Sequence, residues 1–247
     1  MSTVTSEDVG VVRHVVLARP EKRNAMNGEL LAELGELLGD AAGDPSVHLV
    51  VLRGEGPVFS AGVDLVELGE STGDVAQLRT FREVFLRCAN LCESMSKPVV
   101  CQIHGACFGG ALEVALGCDL RVATADAKLG LPEVRFGIIP DVGGSARLPA
   151  VVGVGRAKDL ILTARTIDGV EAERIGLVNR VVEAAQIEVA TEELVEEVLA
   201  NPHLATGRAK HVIDAAARPA LAQSLELEIA TQEFLVQAAA AQAAVVD

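Results

Sequence analysis

The feature that most constrains the fold is an alternation, within the first hundred residues, between short β-branched runs and longer helical stripes. "VRHVVLAR" (12–19), "VHLVVLRG" (47–54) and "KPVVCQIHG" (97–105) read as strands. Between the first two, Asn27 can cap a helix in which Leu30, Leu31, Leu34, Leu37, Leu38 and Ala41 recur at the spacing of one buried face. Between the next two, Val75, Leu78, Phe81, Val84, Phe85, Cys88, Leu91, Cys92 and Met95 repeat that spacing. Strands joined by full helices pair in parallel, so the pattern predicts an α/β core.

Beyond about residue 150, strand candidates thin out and helices take over. Asp168 followed by Glu171 has the form of a capping box before "VEAERIG", with Gly176 suited to end that helix. Further helices are expected over 184–200 and 203–217, with a break at Arg218-Pro219. The last stretch is an Ala-rich helix with an incomplete charged face, a type that packs on a partner.

Half of the 247 residues are hydrophobic, enough for a large core. Asp and Glu number 35 against 21 Lys and Arg, and the net charge of −14 opposes binding to nucleic acid or to an anionic membrane. An anionic ligand must therefore meet a locally positive site. No apolar run reaches the ~18 residues of a membrane span. The acidic start "MSTVTSEDVG" lacks the basic region and apolar core of a signal peptide, so the expectation is a cytoplasmic protein. Five scattered His and five Cys without zinc-type spacing predict no metal site.

One carboxylate stands out. In "GGALEVALG" (109–117) Glu113 has only apolar residues or glycine for four positions on either side, so a helix there offers it no polar face. A buried carboxylate is costly unless it is paired or put to chemical use, which makes Glu113 either a satisfied ion pair or an acid/base catalyst. Glu133, in "LGLPEVRFGIIPDVGG", has a second apolar setting. Asp141, just before "VGGSARL", reads as a helix N-cap. Small residues in "VFSAGVDL" (58–65) and "GACFGGAL" (105–112) lie after strands, where backbone amides can approach a ligand closely. Amides aimed at one oxygen, helped by a helix N-terminus, stabilise developing negative charge.

Taken together, "RPEKRNAMN", "VFSAGVDL", "HGACFGGALEVALGCDLRVA", "LGLPEVRFGIIPDVGGSARLP" and "EAERIGLVNRVV" resemble the enoyl-CoA hydratase/isomerase, or crotonase, superfamily in order and spacing over roughly residues 10–180. The resemblance implies an α/β spiral of ββα units (1–180) and a C-terminal helical trimerisation region (181–247). It also implies a homotrimer or a hexamer of paired trimers, and an acyl-CoA thioester ligand, with coenzyme A entering as part of the substrate and no separate cofactor. By motif position, the amides of Val63 and Gly110 would form the oxyanion hole. Lys22, Arg23, Ala25, Ser60, Ala61, Gly62, Asp64, Leu65 and Gly109 would lie along the ligand. Segment 65–73, "LVELGESTG", reads as a loop that forms the acyl-pocket wall with the helix at 74–95.

Both glutamates of the family's hydratases are present. The implied reaction is syn addition of water to a trans-2-enoyl-CoA to give a (3S)-3-hydroxyacyl-CoA, with Glu113 activating water and Glu133 protonating Cα. An enoyl-CoA or dienoyl-CoA isomerase using Glu133 as proton shuttle is the alternative, since dienoyl-CoA isomerases carry an acid at the position of Asp141. A noncatalytic acyl-CoA-binding protein is another. Family members commonly finish on a segment with Phe and Lys or Arg that covers CoA; here "AAAAQAAVVD" lacks that basic stretch, so weaker CoA contacts are expected from this end.

Overall fold

Each of the three predicted strands joins one sheet, and most of their residues are buried. In this computed structural model, which describes residues 2–71 and 75–246, the chain begins with β1 (Val4–Val9) and β2 (Val12–Leu17), followed by α1 (Gly28–Gly43), β3 (Leu49–Gly54), α2 (Leu65–Ser71), α3 (Val75–Ser94) and β4 (Val99–Ile103). Next come β5 (Ala106–Phe108), α4 (Gly110–Gly117), β6 (Leu120–Thr124), β7 (Lys128–Gly130), α5 (Gly144–Val152) and α6 (Val154–Thr163). The remainder is β8 (Ile167–Asp168), α7 (Gly169–Arg174), β9 (Arg180–Val182), α8 (Ile187–Leu199), α9 (His203–Ala217) and α10 (Leu221–Val246). The larger sheet has the order β1-β2-β3-β4-β6-β9, and β5-β7-β8 make a smaller one.

From β2 to β9 the larger sheet is parallel, with Val12 opposite Leu49 and Val50 opposite Val99. Alternate residues of β3 face opposite ways. Val50 and Leu52 enter the main core with Leu31, Leu34, Phe85 and Leu112, whereas Leu49 and Val51 meet Ile187, Ala190, Leu194 and Val195 of α8. This two-sided burial explains why the β3 run is continuously apolar. The antiparallel β1 was not legible in the sequence because five of its six residues are exposed and polar or peripheral.

The predicted caps are largely present. The Asn27 side chain accepts from the Leu30 amide at 3.0 Å, and Asp168 accepts from the Glu171 amide at 2.9 Å. The Glu171 carboxylate, however, pairs with Arg165 instead of returning to the cap, so the box is half made. Gly176 follows α7 with φ of +80°, as a helix stop requires. The predicted loop 65–73 is corrected in part: Leu65–Ser71 is helical, while 72–74 lie outside the described residues.

Asp141 is not the cap of α5. That position belongs to Gly143, which has no side chain to offer, and the carboxyl groups that serve the helix come from elsewhere in the chain. All five cysteines are free and buried, as small hydrophobes in the core. Among the described residues, no helix is long and apolar enough to cross a membrane.

Candidate active site

Asn24 builds the first wall of the site. Its side chain is fully buried and donates to the carbonyls of Glu55, Val58 and Phe59 at 2.8–3.0 Å, while its Oδ1 accepts from the Arg19 amide at 2.9 Å. Ser60 Oγ donates to the Asn24 carbonyl at 2.7 Å and accepts from the Gly62 amide at 3.1 Å. These bonds clamp the 19–26 loop onto the turn after β3. The result is a cleft of about 450 Å³ lined by Lys22, Ala25, Ala61, Gly62, Val63, Asp64 and Leu65, with Gly109, Glu133 and Phe136 across from them.

Most of the predicted ligand-side residues therefore meet in one place. Ser60 does not line the cleft, because it is fully buried and occupied in holding the wall. Arg23 is exposed with φ of +53° and is also outside the lining, which leaves Lys22 as the basic side chain on the cleft.

A small inner cavity of about 50 Å³ continues from the cleft, sharing Val63, Leu68, Glu133 and Ile138 with it. Gly110, Glu113, Asp141 and Gln232 complete its polar side, and Leu78, Phe81 and Phe85 its apolar side. Glu113 sits on α4, every residue of which is buried. The turn into α4 needs glycine at 109, where φ is +53° and a Cβ would lie 2.8 Å from Glu133 Oε1. Among the described residues, neither the Val63 nor the Gly110 amide is engaged by a protein acceptor, and both residues line this space.

The two glutamates differ in their bonding. Glu113 Oε1 accepts from the amides of Gly144 at 2.7 Å and Val142 at 3.1 Å. Glu133 Oε2 is buried with no hydrogen-bond partner. Burial pushes the Glu113 carboxyl well above its ordinary range, with added repulsion from Glu133, Asp141 and Glu228 and opposition from the Gly144 amide. Burial likewise raises Glu133 to about 7. Such a cluster titrates as a unit. Within it, the donated amide bonds pull Glu113 toward the carboxylate, and Glu133, whose Oε2 has no hydrogen-bond partner, is the better holder of the proton.

Asp141 faces the same inner cavity, with Oδ2 buried and lacking a hydrogen bond. Burial lifts it to about 6 against the pull of Arg82, whose Nε lies 3.7 Å away. Sequence reasoning missed three residues here. Arg82 of α3 donates to the carbonyls of Asp141 and Leu225; Gln232 of α10 accepts from the Ile139 amide at 3.0 Å; and Glu228 of α10 is buried against α5. The one available signal was a Glu and a Gln four residues apart beside apolar Ile229, a pattern shared with many solvated helix faces.

The site is a cleft with two unused amides and a deeply buried pair of glutamates, on a spiral of strands and helices. The model of the family described as enoyl-CoA hydratase/isomerase matches residues 7–246, and the chain belongs to that family. It is 36% identical over 215 residues to the short-chain-enoyl-CoA hydratase of Clostridium acetobutylicum, covering 87% of this chain and 82% of that one. It is 37% identical over 193 residues to the crotonyl-CoA hydratase of Syntrophomonas wolfei, covering 78% and 74%. The crystal structure of an enoyl-CoA hydratase from Bacillus anthracis superimposes with a TM-score of 0.84 at 32% identity, covering 95% of this chain and 90% of that one.

Proposed function

We infer that the chain is an enoyl-CoA hydratase that adds water syn to a short trans-2-enoyl-CoA to give the (3S)-3-hydroxyacyl-CoA. The observation that carries this reading is the placement of Glu113 and Glu133 in one inner cavity beside the unengaged amides of Val63 and Gly110. The thioester oxygen sits between those amides, which stabilise the negative charge it gains. Glu113, oriented by two amides and acting in its ionised form, takes a proton from water as the water oxygen bonds to Cβ. The electron pair of the double bond moves to the thioester as an enolate, and Glu133 returns a proton to Cα. Losing one such amide donor costs about 3–4 kcal/mol of transition-state stabilisation.

Lys22 lies on the cleft wall, where a cation can meet the phosphates of CoA in an otherwise acidic protein. The small inner cavity, closed by Leu78, Phe81, Phe85 and Gln232, favours a short acyl group. Exposed Leu162, Val170, Leu204, Val212 and Phe234 support self-association as the trimer or hexamer, which sedimentation tests.

A second reading has its own observation. Asp141, paired with Arg82 but with Oδ2 short of a hydrogen bond, puts a third carboxyl in the same cavity, an arrangement suited to moving a proton between carbons in an isomerase. Turnover of trans-2-enoyl-CoAs of several lengths, with products weighed by mass spectrometry, separates the readings. A gain of one water marks the hydratase, an isobaric product the isomerase, and binding without turnover a noncatalytic acyl-CoA-binding protein.

A further inference from the structure

The turn that holds Glu113 is held in turn by a residue from the far end of the chain. Two carboxylates share the amides at the start of α5. Glu113 takes Val142 and Gly144, while Glu228 takes Gly143 through Oε2 at 2.9 Å and Ala146 through Oε1 at 2.7 Å. Because Gly143 has no side chain, α5 lacks a cap of its own, and Glu228 supplies it from α10. Glu228 is only 4% exposed, so its bonds are not diluted by solvent. Two further contacts bring α10 onto this region: Gln232 accepts from Ile139, and Arg82 bridges from the Asp141 carbonyl to that of Leu225.

We propose that Glu228 is a positioning residue for the hydration step, fixing the 142–146 turn so that its amides orient the Glu113 carboxylate toward water. This rests on the reading of Glu113 as the base. It makes docking of α10 onto its own core part of the catalytic geometry. Loss of Glu228 leaves the Gly143 and Ala146 amides unpaired and the turn free to shift. Misplacement of a catalytic group by about 1 Å lowers turnover by about 10²-fold. Since Glu228 is absent from both the outer cleft and the inner-cavity lining, ground-state binding of the acyl-CoA should change little.

The test is steady-state hydration of crotonyl-CoA by Glu228→Ala, Glu228→Gln, Arg79→Ala and Glu113→Gln, each checked for native circular dichroism. Arg79→Ala cuts the exposed Arg79–Glu233 pair that also ties α10 to α3, without touching the turn. The expected result is a kcat lowered about 10–100-fold in Glu228→Ala with KM within about 3-fold, partial recovery in Glu228→Gln, whose amide oxygen can still accept, and near wild-type kcat in Arg79→Ala. Wild-type kcat in Glu228→Ala with an inactive Glu113→Gln overturns the positioning role alone. An equal loss in Arg79→Ala also overturns it, because helix docking in general would then be responsible. Full activity in Glu113→Gln overturns the reading of the base on which the role depends.

Discussion

The Gly144 amide donates to Glu113 Oε1 at 2.7 Å, and a Cβ built on Gly144 would stand 2.6 Å from that same oxygen. The contact leaves no room for any other residue at 144. Gly144→Ala must displace the Glu113 carboxylate or the turn, since Pro140 Cβ closes the other side at 2.8 Å. A fall in kcat of about 10²-fold is expected, with circular dichroism unchanged. Turnover within about 2-fold of wild type would show that the Glu113 position is not critical.

The pH profile follows from the proton on Glu133. As the acid for Cα, Glu133 must be protonated, so activity is lost as pH rises above its pKa; Glu113 must be ionised as the base, and because burial raises its pKa too, activity also falls on the acid side. With burial lifting Glu133 to about 7, kcat/KM for the free enzyme should fall on the alkaline side with an apparent midpoint near neutrality. Glu133→Gln should lose most of the rate and flatten that limb. A limb that persists unchanged in the residual activity of the variant would assign it to another group.

The same shift predicts a stability gain from a damaging mutation. A carboxyl whose folded pKa is raised contributes stability below its ordinary value of 4.5, and the contribution disappears as pH climbs through about 7. At pH 8 the buried Glu133 charge therefore destabilises the fold by on the order of 3 kcal/mol. Glu133→Gln should raise the Tm at pH 8, by several degrees in a chain of this size, and the advantage should shrink toward pH 4. Thermal unfolding at the two pH values checks this; equal Tm values at pH 8 would contradict it.

A stability prediction away from the site concerns α9. Lys210 Nζ, 7% exposed as a residue, donates to Asp119 Oδ2 at 2.8 Å and to the carbonyls of Cys92 and Lys97 at 2.6 and 3.1 Å. Removing one member of a buried pair costs about 3–5 kcal/mol because the other charge is stranded. Lys210→Ala should lower the urea midpoint accordingly, and Lys210→Ala with Asp119→Asn should recover part of the loss. Additive losses in the double variant would mean that the two side chains do not interact.

How much of this was legible in the sequence depends on the range of the interactions. The parallel core was readable because β-branched runs and helical stripes report local burial, and Asn27 and Asp168 capped the helices they precede. Glu113 and Glu133 were readable because a carboxylate in an apolar run conflicts with its surroundings. Asp141 was misread as a cap because its immediate neighbours suit that role, whereas the acceptors for α5 come from residues 113 and 228. Ser60 shows the converse: small residues beside a ligand turn look alike, and only the fold reveals that Ser60 is committed to Asn24. Glu228 and Gln232 were hidden because nothing in a helix's own sequence states which of its polar residues will be buried against a distant turn.

In the proposed reaction Glu113 and Glu133 together add one water to an enoyl thioester. The most direct measurement is a single turnover of crotonyl-CoA in H₂¹⁸O by the wild-type chain, Glu113→Gln and Glu133→Gln, with the product weighed and its oxygen located. The wild type should give a 3-hydroxybutyryl-CoA with one ¹⁸O at C3, and both variants a rate reduced by orders of magnitude. An unlabelled isobaric product, or undiminished hydration by either variant, would contradict this mechanism.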